Sequence, residues 1–140
     1  MECEFPKENA TSQEITEMLH AAKRIAVVGL SPKPDRPSYG IAAYLQAHGY
    51  TILPVNPGHP EILGEKSYKS LRDVPGPIDI VNIFRDPAAV PEIVDQAIEK
   101  KARAIWMQDG IVHNAAAEKA RVAGLQVVMN KCIYREHSRL

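Results

Sequence analysis

The chain has 140 residues, which suits one domain that buries roughly two thirds of the surface its unfolded form exposes. Its 17 Lys and Arg balance 17 Asp and Glu, so no overall field draws in nucleic acid or a membrane surface, and any anion site has to be local. The two cysteines, Cys3 and Cys132, stand far apart without metal-ligand spacing, which argues against a disulfide framework and suits a reducing cytoplasm.

The opening MECEFPKENA carries acids rather than the apolar core of a signal peptide, and no apolar run approaches the roughly 20 residues needed to cross a bilayer. A soluble, cytoplasmic protein with one domain over 1–140 is expected, with 1–10 poorly ordered. The first predicted helix runs from about Ser12 to Ala22. Thr11 and Glu14 have capping-box spacing, and Ile15, Met18, Leu19 and Ala22 share one face. Arg24 to Leu30 follows as a continuously apolar strand, the pattern of a strand covered on both faces. Ser38 is placed to cap the next helix, which stops at Gly49. Tyr50 to Pro57 reads as a second strand, and a short turn is expected around Ser70 to Asp73.

Asp79 to Phe84 reads as a third buried strand. In the helix after it, Asp86 is the candidate cap and Pro87 the first helical residue, while Pro91 implies an irregular first turn or a start near Val90. Arg103 to Gln108, the helical NAAAEKARVAG and Leu125 to Asn130 complete the alternation. Strands alternating with helices over short connections predict parallel pairing through right-handed crossovers. The expected fold is a Rossmann-like, doubly wound α/β domain with a mostly parallel five-stranded sheet and helices on both faces.

In such a sheet ligands bind at the carboxyl edge of the strands. The segments expected there, GLSPKPDRPSYG, NPGHPE, RDP, QDGIVHN and NKCIYREH, hold most of the unusual chemistry in the chain. Gly29 permits a tight turn, and the helix beginning near Ser38 aims unpaired N–H groups and its positive end at the same point. Lys33 and Arg36 add full charge there, and Ser31 and Ser38 add hydroxyls. The pattern reads as a diphosphate site, against the alternative of a proline-stiffened loop with solvated charges. It is not the glycine-rich dinucleotide fingerprint. The acid that would hold an NAD ribose about 20 residues on is also missing, with Val55, Asn56 and Pro57 in its place. A ribose that itself carries phosphate, as in NADP or coenzyme A, suits that charge pattern.

VVGLSPKPDRPSYG, PVNP, SLRDVP, IFRDP and CIYREHSRL resemble the small stand-alone CoA-binding proteins of bacteria, relatives of the N-terminal CoA-binding domain of the succinyl-CoA synthetase α-subunit. The resemblance runs from about Ile15 to Leu140. It implies a Rossmann-type fold holding coenzyme A, or an acyl-CoA, at the carboxyl edge. By position, Gly29, Leu30 and Ser31 would line the diphosphate, Val55, Asn56 and Pro57 would shape the adenosine pocket, Phe84 and Arg85 would border the cofactor, and Gln108 and Gly110 would close over the pantetheine arm. His59 stands where the synthetase pattern has a phosphate-binding Lys, so either Lys33 and Arg36 compensate or affinity is modest. The synthetase's phosphohistidine domain has no counterpart in the chain, so ligase activity is not expected.

No catalytic constellation and no metal-ligand spacing stands out. Of five histidines, His20 and His48 read as helix-surface residues, while His59 and His113 fall at the ligand edge. Cys132 reads either as a small buried thiol or as one able to form a mixed disulfide with CoA. Trp106 reads as core, Asp109 as a turn residue or a polar contact, and Glu136, His137 and Arg139 as a solvated terminal face. Ile62, Leu63 and Ile111 are exposed apolar residues that a homodimer would use. Two functional classes stand side by side: a CoA-binding module without chemistry of its own, and an NADP-using oxidoreductase or nucleotide sensor. A ligand-free interaction domain is the third reading.

Overall fold

The computed structural model describes residues 4–140. Its strands in chain order are β1 (Arg24–Val28), β2 (Thr51–Val55), β3 (Glu61–Ile62), β4 (Glu65–Lys66), β5 (Ile80–Ile83), β6 (Ala104–Met107) and β7 (Gln126–Val128). Five of them form one all-parallel sheet in the order β2-β1-β5-β6-β7, and β3 and β4 form a separate antiparallel ribbon. From β1 the chain steps outward to β2, then returns to β1's other side as β5. The strand order therefore reverses between β1 and β5, and this switch point leaves a crevice at their carboxyl ends.

The helices are α1 (Ser12–Ala21), α2 (Pro37–Ala47), α3 (Val90–Glu99), α4 (Asn114–Val122) and α5 (Ile133–Ser138). On one face, Val90, Ile93, Val94 and Ala97 of α3 and Ala116, Ala117 and Ala120 of α4 bury against Ala26, Val28, Val81, Ile83, Ile105 and Met107. On the other, Ile15 and Leu19 of α1, Ala42 and Leu45 of α2 and Ile133 of α5 bury against Ile25, Val27, Ile80 and Trp106. Each strand thus contributes alternate residues to two cores, which is why the central strands read as unbroken apolar runs. The fold is Rossmann-like α/β.

Local chemistry explains most boundaries. The capping box forms as read: Glu14 N–H donates to Thr11 Oγ1, and Thr11 N–H donates to the Glu14 carboxylate. Pro91 acts as its missing N–H requires, since Pro87–Ala89 make a 3-10 turn and the α-helix starts at Val90. Two capping assignments need correction. Arg36, not Ser38, is the N-cap of α2, with Pro37 at the first helical position, and Ser38 is 6% exposed inside the first turn. Asp86 stands at the N-cap of the 3-10 turn rather than of α3, whose N-cap is Ala89, and its side chain makes no capping hydrogen bond.

Three other expectations change. Ile62 is buried, since the β3–β4 ribbon folds it onto the core, and Leu63 and Ile111 pack against core residues. The terminal face around His137 is not simply solvated: His137 Nδ1 and Tyr44 Oη are 2.8 Å apart, and its ring meets those of His48 and Tyr50 edge-on. Residues 1–3 of the segment expected to be poorly ordered, and Cys3 with them, lie outside the described residues. The rest of that segment has partners: Lys7 N–H donates to Asn114 Oδ1, and Asn9 Nδ2 donates to the Met129 carbonyl. Among the described residues no helix is long and apolar enough to cross a membrane.

Candidate functional site

Two clefts open along the carboxyl edge and meet at Phe84 and Pro37. The first, about 480 Å³, is lined by Gly29, Ser31, Lys33, Arg36, Asn56 and His59 among others. The second, about 510 Å³ and more apolar, is lined by Ile41, Phe84, Arg85, Gln108, Gly110 and Cys132 among others. Each volume falls within the range of small-molecule sites. A smaller hollow of about 200 Å³ includes Asp79 and Arg103 at the opposite edge of the sheet. Asp79 is already engaged there by the backbone N–H groups of Lys23 and Arg24.

The floor of the first cleft is set by Gly29. Its φ is +88°, and a Cβ there would lie 2.5 Å from the Phe84 carbonyl oxygen. The approach of the segment after β5 is thus enough by itself to demand the glycine. Leu30 turns fully into the core, so only its backbone faces the loop. Ser31 N–H donates to Ser38 Oγ at 3.0 Å, and Lys33 N–H donates to Ser31 Oγ at 3.1 Å. The hydroxyls accept within the loop and keep their own protons to donate. Lys33 and Arg36 are exposed at the rim.

Asn56 is the brace between the first two loops. Its Nδ2 donates to the Leu30 carbonyl at 2.9 Å, and its Oδ1 accepts from Gly58 N–H at 2.8 Å. Its backbone N–H donates to the Tyr68 carbonyl, part of a parallel bridge between Val55 and Tyr68 beside β2. Val55 is a core residue at 5% exposure, and Pro57 is exposed at the end of the loop. The second strand's end therefore offers backbone and the Asn56 side chain to the cleft rather than the Val55 side chain.

Gln108 has both ends of its amide committed. Nε2 donates to Asn82 Oδ1 at 2.6 Å, and Oε1 accepts from Ile133 N–H at 3.3 Å. It ties β5, β6 and the start of α5 together beneath the second cleft. Gly110 has a φ of +81°, and its N–H donates to Asn130 Oδ1, which locks the β6 loop to the β7 loop. Asp109 resolves as a contact: Arg135 donates to both its oxygens at 3.0 and 2.8 Å, and the guanidinium holds the Asp109 carboxyl below its usual range.

The remaining candidates also find places. His113 is the N-cap of α4, with Nδ1 accepting from Ala116 N–H, a structural use that the sequence pattern did not suggest. Trp106 is fully buried and donates to the Lys131 carbonyl. Cys132 is the N-cap residue of α5, half-buried and on the wall of the second cleft rather than inside the core. His59 is exposed at the first cleft. The polar residue that the sequence reading missed is Asn82, in the middle of an otherwise apolar strand and wholly buried. Its signal was present, as a lone amide in DIVNIF.

A family model described as a CoA binding domain matches residues 23–138. The chain belongs to that CoA-binding family. A relative in Bacillus subtilis, named Uncharacterized protein YneT, is 42% identical over 131 residues, covering 94% of this chain and 97% of the relative. A hypothetical protein from Pyrococcus horikoshii has a solved structure that matches with a TM-score of 0.92 at 44% identity, covering 100% of this chain and 99% of that one. The alpha subunit of the Pyrococcus furiosus acetate–CoA ligase (ADP-forming) I is 34% identical over 95 residues, which is 64% of this chain and 21% of the subunit. The chain is thus similar both to proteins close to its own length and to a stretch of a much longer ligase subunit.

Proposed function

We propose that this protein binds coenzyme A or an acyl-CoA along the carboxyl edge of its sheet, as a single domain without ligase chemistry of its own. The observation that carries the reading is the joining of a cation-rimmed cleft to a more apolar one at Phe84 and Pro37, directly over the strand-order reversal. An elongated molecule with a charged end and an uncharged arm suits that pair, and the CoA-binding family model over residues 23–138 supports it.

On this reading the phosphates lie against the Gly29–Ser31 backbone, within reach of Lys33, Arg36 and Ser38. Asn56 and Pro57 border the nucleoside. Phe84 and Arg85 flank the arm, and Gly110 with the loop held by Gln108 closes the second cleft. When bound, CoA supplies a thiol that carries acyl groups as thioesters. The chain's own contribution is to neutralise phosphate charge at the rim and to shield the arm. Val55 and Leu30 act from the core by holding their loops in place.

The test is thermal stability with ligand. A ligand that binds only the native state stabilises it by about 2.7 kcal/mol at a hundredfold excess over Kd. At equal concentration CoA should raise Tm, and dephospho-CoA should raise it less if the cations grip the 3′-phosphate. Equal shifts remove the 3′-phosphate role. A shift with NADP and none with CoA replaces this reading with an oxidoreductase or sensor.

A further inference from the structure

Among the described residues, one buried side-chain polar atom has no hydrogen-bond partner: Nδ2 of Asn82. Buried donors are almost always satisfied, so an orphan at a candidate site calls for an occupant. Asn82 lies on β5 at the reversal of strand order, opposite Val27 of β1 and Trp106 of β6. Two residues further along the three strands stand Gly29, Phe84 and Gln108, which border the two clefts. Asn82 is therefore one step beneath the place where the clefts join.

The orientation of its amide follows from its neighbours. Ile133 N–H donates to Oε1 of Gln108, which turns the Gln108 Nε2 toward Asn82 and requires an acceptor there. Asn82 must present Oδ1 to β6. The two ends of a planar amide diverge, so Nδ2 is turned away from Gln108 and left without a partner.

We propose that Asn82 is a binding residue whose Nδ2 donates to an oxygen of the ligand's arm where it passes from the phosphate cleft into the apolar one. This rests on the CoA reading above. The acceptor is a hydroxyl or amide carbonyl near the diphosphate, since that part of an elongated ligand crosses the waist. Asn82 itself is wholly buried, and Phe84, two residues on and partly exposed on the same face of β5, is the side chain that turns aside when the arm enters. The Gln108 amide acts as the positioning residue that aims Asn82.

The experiment is calorimetric titration of the full chain and its Asn82→Leu variant with CoA and with adenosine 3′,5′-bisphosphate, which has the nucleotide phosphates but no arm. The variant should lose about tenfold in affinity for CoA while its affinity for the bisphosphate stays within about twofold. Unchanged CoA affinity, or an equal loss for both ligands, overturns the arm contact. Should Asn82→Leu not fold, Asn82→Ser keeps a polar partner for Gln108 without a reaching donor, and the same comparison decides. Failure of the unaltered protein to bind either ligand instead overturns the CoA reading itself.

Discussion

Gly29 shows how one position can serve fold and site together. It lies in the left-handed region at φ +88°, and an added Cβ would meet backbone at 2.5 Å rather than the end of a side chain that can swing away. The obstructing oxygen belongs to Phe84, whose N–H is itself tied to the Val28 carbonyl. Relief therefore requires β1 and β5 to separate at the switch point. Gly29→Ala should destabilise the protein by about 2–4 kcal/mol and abolish CoA binding, read by denaturant unfolding and by titration. A variant of native stability would mean that the loop can retreat without cost. Asn56 and Gln108 teach the complementary lesson. Both were read as ligand residues, and in both the side-chain amide is engaged at each end by the protein's own backbone or by Asn82. Their polar types were legible in sequence, whereas their partners depend on loops brought together from distant parts of the chain.

Among the elements, α5 is the one whose setting decides the second cleft. Its first residue bonds to Gln108, Arg135 on it grips Asp109, and the residue before it is Cys132. Its far end is held by His137, whose ring contacts Tyr44, His48 and Tyr50. Burial first, then the neighbouring His48 and His20, push the His137 pKa down. A histidine lowered in the folded state stays neutral there while the unfolded chain takes up a proton. Its contribution is present above the unfolded value of about 6.5 and is lost as pH falls through the folded value. Tm should therefore drop between pH 7.5 and pH 5, and His137→Gln should flatten that slope; an equally steep slope in the variant assigns the effect elsewhere. The sequence pattern placed His137 on a solvated face, because a six-residue terminal helix gives too few turns for a stripe to show.

At the scale of the whole molecule, charge is balanced but not evenly spread. The 17 cations and 17 anions cancel, yet Lys33 and Arg36 stand together at the rim of one cleft. Attraction for a phosphorylated ligand is then a local, screened interaction rather than a property of net charge. Raising salt from about 0.05 to about 0.5 M should weaken CoA binding several-fold, because the Debye length shrinks below the spacing of exposed charges. Arg36→Ala should weaken binding at low salt and reduce that dependence. Affinity that is equally salt-sensitive without Arg36 would detach it from the site.

The alternation of apolar runs with amphipathic helices was enough to specify a parallel, doubly wound sheet, because each period reports locally which face of an element is covered. The same pattern placed the polar loops on one edge, and the capping box and Pro91 set helix starts through neighbours only a few residues away. What folding alone decided were contacts between segments far apart in sequence: Asn82 with Gln108 and α5, Asn56 with Leu30, and Gly29 beneath the Phe84 carbonyl. Strand order determined these. A sheet that runs β2-β1-β5-β6-β7 sets β1 beside β5 across more than 50 residues, and no local periodicity carries that adjacency.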